Sequence, residues 1–336
     1  MLKAAVIGVG SMGNHHTRVY QDMENVELVC VVDPNIETAQ RVGSRYHIPY
    51  FTDTATMLAT CRPDIVSLAA PTSLHYDIAA MLLRNGVHVL VEKPIASSVE
   101  DGERLVDLAA KYGLTLAVGH IERFNPAVME LACQLRRGAL GCIYKIHTQR
   151  LSPYPGRIKD TGVVIDLASH DIDLIRFLMR EPIVRLYSET LQTINSNRED
   201  MFNGLVRFQS GAVGILDVNW ITPTKMRTLT ITGARGMYIC NLLSQELFLY
   251  ANGDSSSDWD TLSVLHGVTE GNVTGFQIRR HEPLVAELAD FVNAVESGTA
   301  PSVTGEDGLE TLRLATEFVE SGATQEIMWR EAALAV

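Results

Sequence analysis

The sequence predicts an α/β Rossmann domain with a doubly wound parallel sheet, followed by an α+β domain with an open, largely antiparallel sheet. An apolar strand at the N-terminus runs into a glycine-rich turn, and strands then alternate with helices as far as residue 120. Beyond that point several short strands follow one another directly. Because 336 residues are about twice a typical domain length, we expect two domains, 1–120 and 121–336, with C-terminal helices that can pack back on the first.

The glycine-rich turn has the spacing of a dinucleotide-binding site. Gly8, Gly10 and Gly13 follow an apolar run at 4–7 and precede a helical pattern at 14–21. In this motif the first glycine allows a tight turn, the second lets the backbone approach a pyrophosphate, and the third lets helix and strand pack closely. The alternative is a structural βαβ unit whose glycines only make turns.

The second strand, 27–32, ends at Asp33. A carboxylate at this position can accept hydrogen bonds from both adenosine ribose hydroxyls and would repel a 2′-phosphate. Pro34 and Asn35, which follow, supply no arginine for such a phosphate. This region therefore predicts NAD rather than NADP.

Apolar runs, caps and glycines predict the other elements of the first domain. We expect helices at 36–46, 54–60 and 74–85, a helix from the capping box Ser97–Glu100 to residue 112, and strands at 64–69, 87–91 and 114–118. In such a sheet the ligand crevice lies at the carboxyl ends of the strands. Pro71-Thr72 and Glu92-Lys93-Pro94 should therefore border it.

The second half of the chain has a different pattern. We expect helices at 126–137, 167–179, 282–296 and 306–321, and strands at 142–150, 183–191, 202–208, 212–221, 227–232, 236–240 and 246–250. Residues 253–258, with three serines, predict an exposed loop.

Composition excludes several classes of protein. The net charge of −12 argues against a nucleic-acid surface. No apolar run approaches the roughly 20 residues of a membrane span, and the N-terminus leads directly into a strand, so we expect a cytoplasmic protein without membrane insertion. The five cysteines are scattered and lack metal-ligand spacing, which favours reduced structural thiols.

Lys93 precedes Pro94 at the expected crevice. The proline restricts Lys93 to an extended backbone, can accommodate a cis peptide bond, and would fix the direction of the ammonium. A lysine beside a substrate hydroxyl stabilises alkoxide character as hydride leaves the carbon. A surface lysine after an edge strand is the alternative.

Asp166 and His170 are one helical turn apart in GVVIDLASHDIDLIRFL. Asp173 shares their polar stripe, whereas the apolar side consists of Leu167, Leu174, Ile175 and Leu178. His170 titrates near neutrality and could take a hydroxyl proton, with Asp166 orienting it or holding the substrate. The alternatives are a helix salt bridge and a metal site with His120, although no third ligand has motif spacing.

Two further stretches offer groups for an anionic substrate. GHIERFNP at 119–126 contributes Arg123 and Asn125 at the crevice. A basic, proline-stiffened loop before Asp166 contains Arg150, Tyr154, Arg157 and Lys159. Guanidinium groups match the oxygens of a diphosphate or a carboxylate, while a solvated loop is the alternative.

In this order, the glycine motif, Asp33, Glu92-Lys93-Pro94 and the Asp166/His170 pair resemble the glucose-fructose oxidoreductase / inositol dehydrogenase / MocA family. The resemblance spans nearly the whole chain. It implies a tightly held nicotinamide, hydride transfer at a sugar or cyclitol hydroxyl, and an open sheet whose free face commonly makes homodimers or homotetramers. It also implies that Lys93 is the catalytic lysine and that His170 with Asp166 is the acid/base pair. The expected NAD contacts are Gly8, Gly10, Ser11, Met12, Gly13, Asp33, Asn35, Pro71, Thr72, His75, Glu92 and Lys93.

Within the family, residues 119–127 and 150–173 resemble UDP-N-acetylglucosamine 3-dehydrogenases, which supply a PLP aminotransferase in the biosynthesis of 3-amino sugars such as those of lipid A. The resemblance implies a nucleotide-sugar substrate held by Arg123, Asn125, Arg150, Tyr154, Arg157, Asp166 and His170. Two alternatives stay open: a dehydrogenase of a free sugar, inositol or cyclic imine, and a non-catalytic NAD-sensing regulator. The arginine-rich loop favours a nucleotide sugar over an uncharged substrate, because an uncharged polyol has no diphosphate for it to bind. The presence of Lys93, Asp166 and His170 together argues against a non-catalytic regulator.

Overall fold

The computed structural model describes residues 1–155, 161–194, 198–253 and 270–330. The chain divides into two compact units, the first formed by Met1–Ile121 and Glu282–Arg313, the second by Glu122–His281 and Leu314–Val336. Within the described ranges, no helix is both long and apolar enough to cross a membrane.

The first unit is built on a six-stranded sheet in which every neighbouring pair is parallel. Its strands are β1 (Leu2–Ile7), β2 (Val26–Val32), β3 (Tyr50–Phe51), β4 (Ile65–Leu68), β5 (His88–Glu92) and β6 (Leu116–Gly119), in the order β3-β2-β1-β4-β5-β6. This order confirms the predicted doubly wound sheet. The sequence analysis missed β3, because two residues are too few for a periodic signal.

The helices of the first unit are α1 (Ser11–Asp22), α2 (Ile36–Tyr46), α3 (Thr54–Cys61), α4 (His75–Arg84), α5 (Val99–Tyr112) and, near the C-terminus, α8 (Pro283–Ser297). Leu288 and Phe291 of α8 are buried in the same core as Val6 of β1. The C-terminal helix α8 thus completes the core of the N-terminal sheet.

Side-chain caps set where two of these helices begin. Asp53 accepts a hydrogen bond from the Thr56 amide at 2.8 Å and caps α3. The cap of α5 is Ser98, which accepts from the Asp101 amide at 3.1 Å, so the capping box predicted at Ser97 is displaced by one residue. Ser98-x-x-Asp101 offers the same chemistry one position later, and the spacing alone did not separate the two.

The second unit is built on a nine-stranded mixed sheet. Its strands are β7 (Ile143–Pro153), β8 (Ile183–Leu191), β9 (Met201–Phe208), β10 (Val213–Asn219), β11 (Ile221–Gly233), β12 (Gly236–Asn241), β13 (Glu246–Asn252), β14 (Glu270–Gly275) and β15 (Met328–Trp329). The order is β14-β13-β12-β11-β7-β10-β9-β8-β15. The β7–β10 pair is parallel and the other pairs are antiparallel, which confirms the predicted open, largely antiparallel sheet.

The remaining helices are α6 (Pro126–Arg136), a π-helical turn (Val164–Ala168) that leads into α7 (Ser169–Met179), and α9 (Gly305–Thr324). Buried residues of α6 and α7, such as Leu131 and Ile172, share one core with Leu216 and Leu229 of the sheet. The division between the two units falls inside α9, after Arg313.

The predicted strand at 212–221 is two strands. The Asn219 side chain accepts hydrogen bonds from the amides of Ile221 and Thr222 at 3.2 and 3.1 Å, so the chain turns at this asparagine. The sequence analysis treated the run as continuous because the residues on both sides of the turn are apolar or β-branched. Of the predicted exposed loop, residues 254–258 lie outside the described residues.

Candidate active site

A cleft of about 810 Å³ opens at the carboxyl ends of β1, β2 and β4. Of the residues predicted to contact the cofactor, Gly8, Gly10, Asp33 and Pro71 line it. Among the described residues of its wall there is neither lysine nor arginine, whereas Asp53 adds a second carboxylate. The cleft therefore suits a dinucleotide without a phosphate on its adenosine ribose.

The three glycines of the motif have three different structural reasons. Gly8 has φ +81°, and a Cβ there would lie 2.7 Å from the backbone of Ala69. A Cβ on Gly13 would lie 1.8 Å from the Gly8 carbonyl oxygen. A Cβ on Gly10 would meet nothing within 4 Å, and Gly10 caps α1 without any side-chain hydrogen bond. The space beside Gly10, at the N-terminus of α1 where Ser11 and Met12 begin the helix, is therefore open, and the first amides of a helix are suited to bind a diphosphate.

The Asp33 carboxylate is oriented by two backbone amides. Its Oδ2 accepts from Val9 N and its Oδ1 from Asn35 N, both at 3.0 Å. This arrangement presents a fixed acceptor at the end of β2, as a ribose diol requires. Asn35 itself caps α2 by accepting from Thr38 N at 3.1 Å, so its side-chain oxygen already has a structural partner.

His75, which was predicted to contact the cofactor, is almost fully buried at the start of α4. Its Nδ1 lies 2.9 Å from the Pro94 carbonyl oxygen and its Nε2 lies 2.9 Å from that of Ala70. Burial lowers the pKa of this imidazole. The ring thus joins two loops, the one after β4 that includes Pro71 and Thr72 and the one after β5, and we expect it to support the cleft rather than to contact its ligand.

Lys93 follows β5 directly, and the Lys93–Pro94 peptide bond is cis, as the sequence allowed. The neighbouring Glu92 accepts a hydrogen bond from Lys93 N at 3.2 Å through Oε2 and lies 3.0 Å from His16 Nε2 through Oε1. Burial raises the pKa of Glu92, but the hydrogen bond from His16 and the charge of Lys93 lower it by a larger amount. The pKa of Glu92 therefore lies below its ordinary value. Glu92 is therefore an anion beside the lysine. The sequence analysis did not single out His16.

Asp166 and His170 belong to the second unit and are both half-buried. Asp166 lies in the π-helical turn, and His170 is the second residue of α7. The helix predicted at 167–179 therefore begins at Val164, and its first turn is π-helical instead of α-helical. Glu199, 35 residues away, accepts hydrogen bonds from Val164 N at 3.2 Å and, through its carbonyl, from Val163 N at 2.9 Å. This long-range partner takes the place of a local cap, and single π-turns are frequent at functional sites.

The acidic residues that follow His170 are paired in the interior. Asp173, expected on the polar stripe with His170, is 1% exposed and accepts hydrogen bonds from Arg123 Nη2 and Nε at 2.6 and 2.7 Å. Asp171 is equally buried and accepts from Arg150 Nε at 2.6 Å. The stripe expected from the helical period was therefore wrong for Asp173, because α7 is covered by partners on that side.

Arg150 was predicted in a basic loop, and the structure corrects this placement. It lies in β7, is 1% exposed, and donates to Glu122 Oε1 at 2.8 Å as well as to Asp171. Arg227, opposite Arg150 on β11, reaches the same Glu122 oxygen at 3.4 Å. Burial raises the pKa of Glu122, but Arg150 and Arg227 bring it below its ordinary value. Burial raises the pKa of Asp171, an effect that Arg150 opposes without cancelling it.

The other predicted substrate residues have mixed positions. Asn125 is 2% exposed, caps α6 through Ala127 N at 3.1 Å and donates to the Leu242 carbonyl at 3.0 Å. Tyr154 packs edge-on against Trp220, with ring centroids 5.8 Å apart. Arg157 and Lys159 lie outside the described residues. In the described ranges, no group of three or more histidine, cysteine, aspartate or glutamate side chains could hold a metal ion.

Residues 2–120 match the profile of an oxidoreductase family with an NAD-binding Rossmann fold, GFO/IDH/MocA, and residues 128–239 match the GFO/IDH/MocA C-terminal domain. The chain belongs to this oxidoreductase family. Its members bind NAD in the Rossmann domain, and the cleft with its open Gly10 and fixed Asp33 fits that cofactor.

Relatives of this family member align with nearly the whole chain. UDP-N-acetylglucosamine 3-dehydrogenase of Acidithiobacillus ferrooxidans is 29% identical over 94% of this chain and 96% of its own. The NAD-dependent scyllo-inositol 2-dehydrogenase of Bacillus subtilis is 27% identical over 95% of this chain and 94% of its own. A crystal structure of the Acidithiobacillus enzyme superposes with a TM-score of 0.84 at 27% identity, over 95% of this chain and 97% of that one. The family member is thus an NAD-dependent dehydrogenase whose relatives act on sugar and cyclitol hydroxyls.

Proposed function

We propose that this dehydrogenase oxidises the 3-hydroxyl of UDP-N-acetylglucosamine to the 3-keto nucleotide sugar. The observation that carries the proposal is the similarity to UDP-N-acetylglucosamine 3-dehydrogenase, which extends over nearly the full length of both chains in sequence and in structure. The keto sugar would then be the substrate of a separate PLP aminotransferase, in the synthesis of a 3-amino sugar of the lipid A type. A cytoplasmic location follows from the same proposal.

The roles proposed for three side chains follow from their chemistry. His170 removes the proton of the sugar hydroxyl, and Lys93 stabilises the oxygen as negative charge develops on it. Asp166, one turn before His170, orients the imidazole and favours its protonated form after transfer. NAD, when bound, accepts the hydride from the sugar carbon. Glu92, the residue before Lys93 in the chain, is a neighbouring anion.

For the nucleotide portion we propose Arg157 as a diphosphate ligand on the strength of its sequence context. Buried carboxylates already accept the hydrogen bonds of Arg123 and Arg150, so these two guanidinium groups have structural roles instead. Arg227 is a half-exposed cation of the same unit, and we add it as a second candidate ligand for the diphosphate.

The second candidate function is oxidation of an uncharged polyol, supported by the similarity to scyllo-inositol 2-dehydrogenase. The test is a titration of the purified protein with UDP-N-acetylglucosamine, UDP-N-acetylgalactosamine, free N-acetylglucosamine and scyllo-inositol, with NADH absorbance as the readout. Reduction of NAD by a UDP-sugar alone supports the first proposal. Reduction by inositol or a free sugar, with none by the UDP-sugars, would replace it with the second.

We also propose that the free face of the nine-stranded sheet forms a homodimer or homotetramer. Leu205, Phe248 and Val273 are large apolar residues of that sheet that remain exposed. Light scattering coupled to size exclusion would give the subunit number, and a monomer at micromolar concentration would contradict the proposal.

A further inference from the structure

His16 is a fully buried histidine of α1, one turn after the last glycine of the motif. Its Nε2 lies 3.0 Å from Glu92 Oε1, at the end of β5. Its Nδ1 is buried and has no hydrogen-bond partner in the part of the chain that the structure describes. Because the Glu92 carboxylate can only accept a hydrogen bond, Nε2–H of His16 is the donor in this pair.

Two polar contacts hold the Glu92 carboxylate, and the neighbouring strand limits the space around it. Oε1 accepts from His16, and Oε2 accepts from the amide of Lys93 at 3.2 Å. On the neighbouring strand β6, a Cβ on Gly119 would lie 2.9 Å from Oε2, so this position leaves just enough room for the carboxylate. The side chain of Glu92 is 14% exposed, so water has little access to the group.

The consequence lies in the peptide that carries Lys93. Because the Lys93 amide donates to Oε2, the position of the carboxylate sets the orientation of this peptide plane, and from it the start of the lysine side chain. Among the described residues, Lys93 and His75 also interact with Glu92: the charge of Lys93 lowers the pKa of Glu92, and the charge of Glu92 acts to raise the pKa of His75. His16 lies in α1, and the N-cap residue of that helix, Gly10, lines the cofactor cleft.

We propose that His16 is a positioning residue that acts through Glu92 to hold the backbone of Lys93, and so couples the cofactor-binding helix to the catalytic lysine. The proposal rests on the proposed role of Lys93. It assigns no contact of His16 with the substrate or the cofactor.

The first test uses no substrate. The chain has six lysines, so a protein labelled with ¹⁵N-lysine gives six backbone amide signals, and the signal lost in Lys93→Arg is that of Lys93. The Lys93 amide signal should move in Glu92→Gln and should move in the same direction in His16→Leu, which loses the donor. In His16→Gln, whose amide N–H can take the place of Nε2–H, it should stay near its original position. An unmoved Lys93 signal in His16→Leu would overturn the proposal, whatever sugar the enzyme oxidises.

The second test is a double-mutant cycle on turnover, run with whichever sugar of the panel is oxidised. His16→Leu should lower kcat by up to the order of 10²-fold, as expected for a small displacement of a catalytic group, while the Kd for NAD changes little. The double variant His16→Leu/Glu92→Gln should be no slower than Glu92→Gln, because both changes break the same connection. His16→Gln should recover most of the loss. Additive losses, or a His16→Gln variant as slow as His16→Leu, would mean that His16 only packs the interior.

Discussion

The Arg150→Ala substitution should lower the thermal stability of the second unit rather than merely weaken substrate binding. The guanidinium is buried and donates to Asp171 and Glu122, so its removal leaves two carboxylates without their nearest cation. Breaking a buried ion pair from one side costs about 3–5 kcal/mol. At roughly 2–4 °C per kcal/mol for a domain of 150–250 residues, the midpoint of thermal unfolding should fall by about 6–20 °C.

The assay is thermal unfolding followed by circular dichroism, with NAD absent so that the cofactor does not stabilise the first unit. Arg235→Ala is the matched control, because Arg235 is an exposed arginine of the same sheet region and its loss should shift the midpoint by little. Arg150→Lys should fall between the two, since it keeps the charge but loses the fork that meets both carboxylates. A midpoint of Arg150→Ala within 2 °C of the unmodified protein, as an order-of-magnitude limit, together with a raised KM for the sugar, would refute the structural role and restore Arg150 to the substrate.

Three further predictions concern the cofactor and the chemistry. Asp33→Ala should erode the preference for NAD over NADP, measured as the ratio of their kcat/KM values, and an undiminished preference would remove Asp33 from cofactor selection. His170→Ala and Lys93→Ala should each slow single-turnover hydride transfer by on the order of 10²- to 10⁴-fold while NAD still binds. Near-normal rates in both would move the chemistry to other residues. Arg157→Ala should raise KM for the UDP-sugar with a smaller change in kcat, and an unchanged KM would make it a solvated residue.

The parts of the fold that could be predicted depend on local rules. The glycine motif and the alternation of strands and helices were enough to predict the first sheet. The positive φ at Gly8 and the close contact at Gly13 both arise within the same short segment, so local sequence indicates them. The cap at Asp53 and the cis bond at Lys93–Pro94 are equally local. Boundaries moved where a side chain intervened, as at Asn219, whose hydrogen bonds end one strand before the next begins.

The interior charges could not be predicted in the same way, because their partners are distant in sequence. Arg150 is 28 residues from Glu122 and 21 from Asp171. One local signal was present: Ile146, Thr148 and Arg150 share one face of β7 at a period of two, and all three are buried. That period favoured an inward-facing arginine over a loop residue. His16 offered a weaker signal, since nothing next to it in sequence indicates a carboxylate 76 positions away.

The interior ion pairs also change what the net charge means for an approaching substrate. Arg123, Arg150 and Arg227 balance Glu122, Asp171 and Asp173 one for one, so the formal charge of −12 belongs to the remaining residues. If the proposed substrate is correct, a nucleotide sugar with two phosphate charges would approach through a repulsive long-range field before any local cation could attract it. Moderate salt screens that field over about 8–10 Å. Encounter with an anionic substrate should consequently become faster, not slower, as ionic strength rises from very low values, opposite to the behaviour of enzymes that draw anions in by their overall charge.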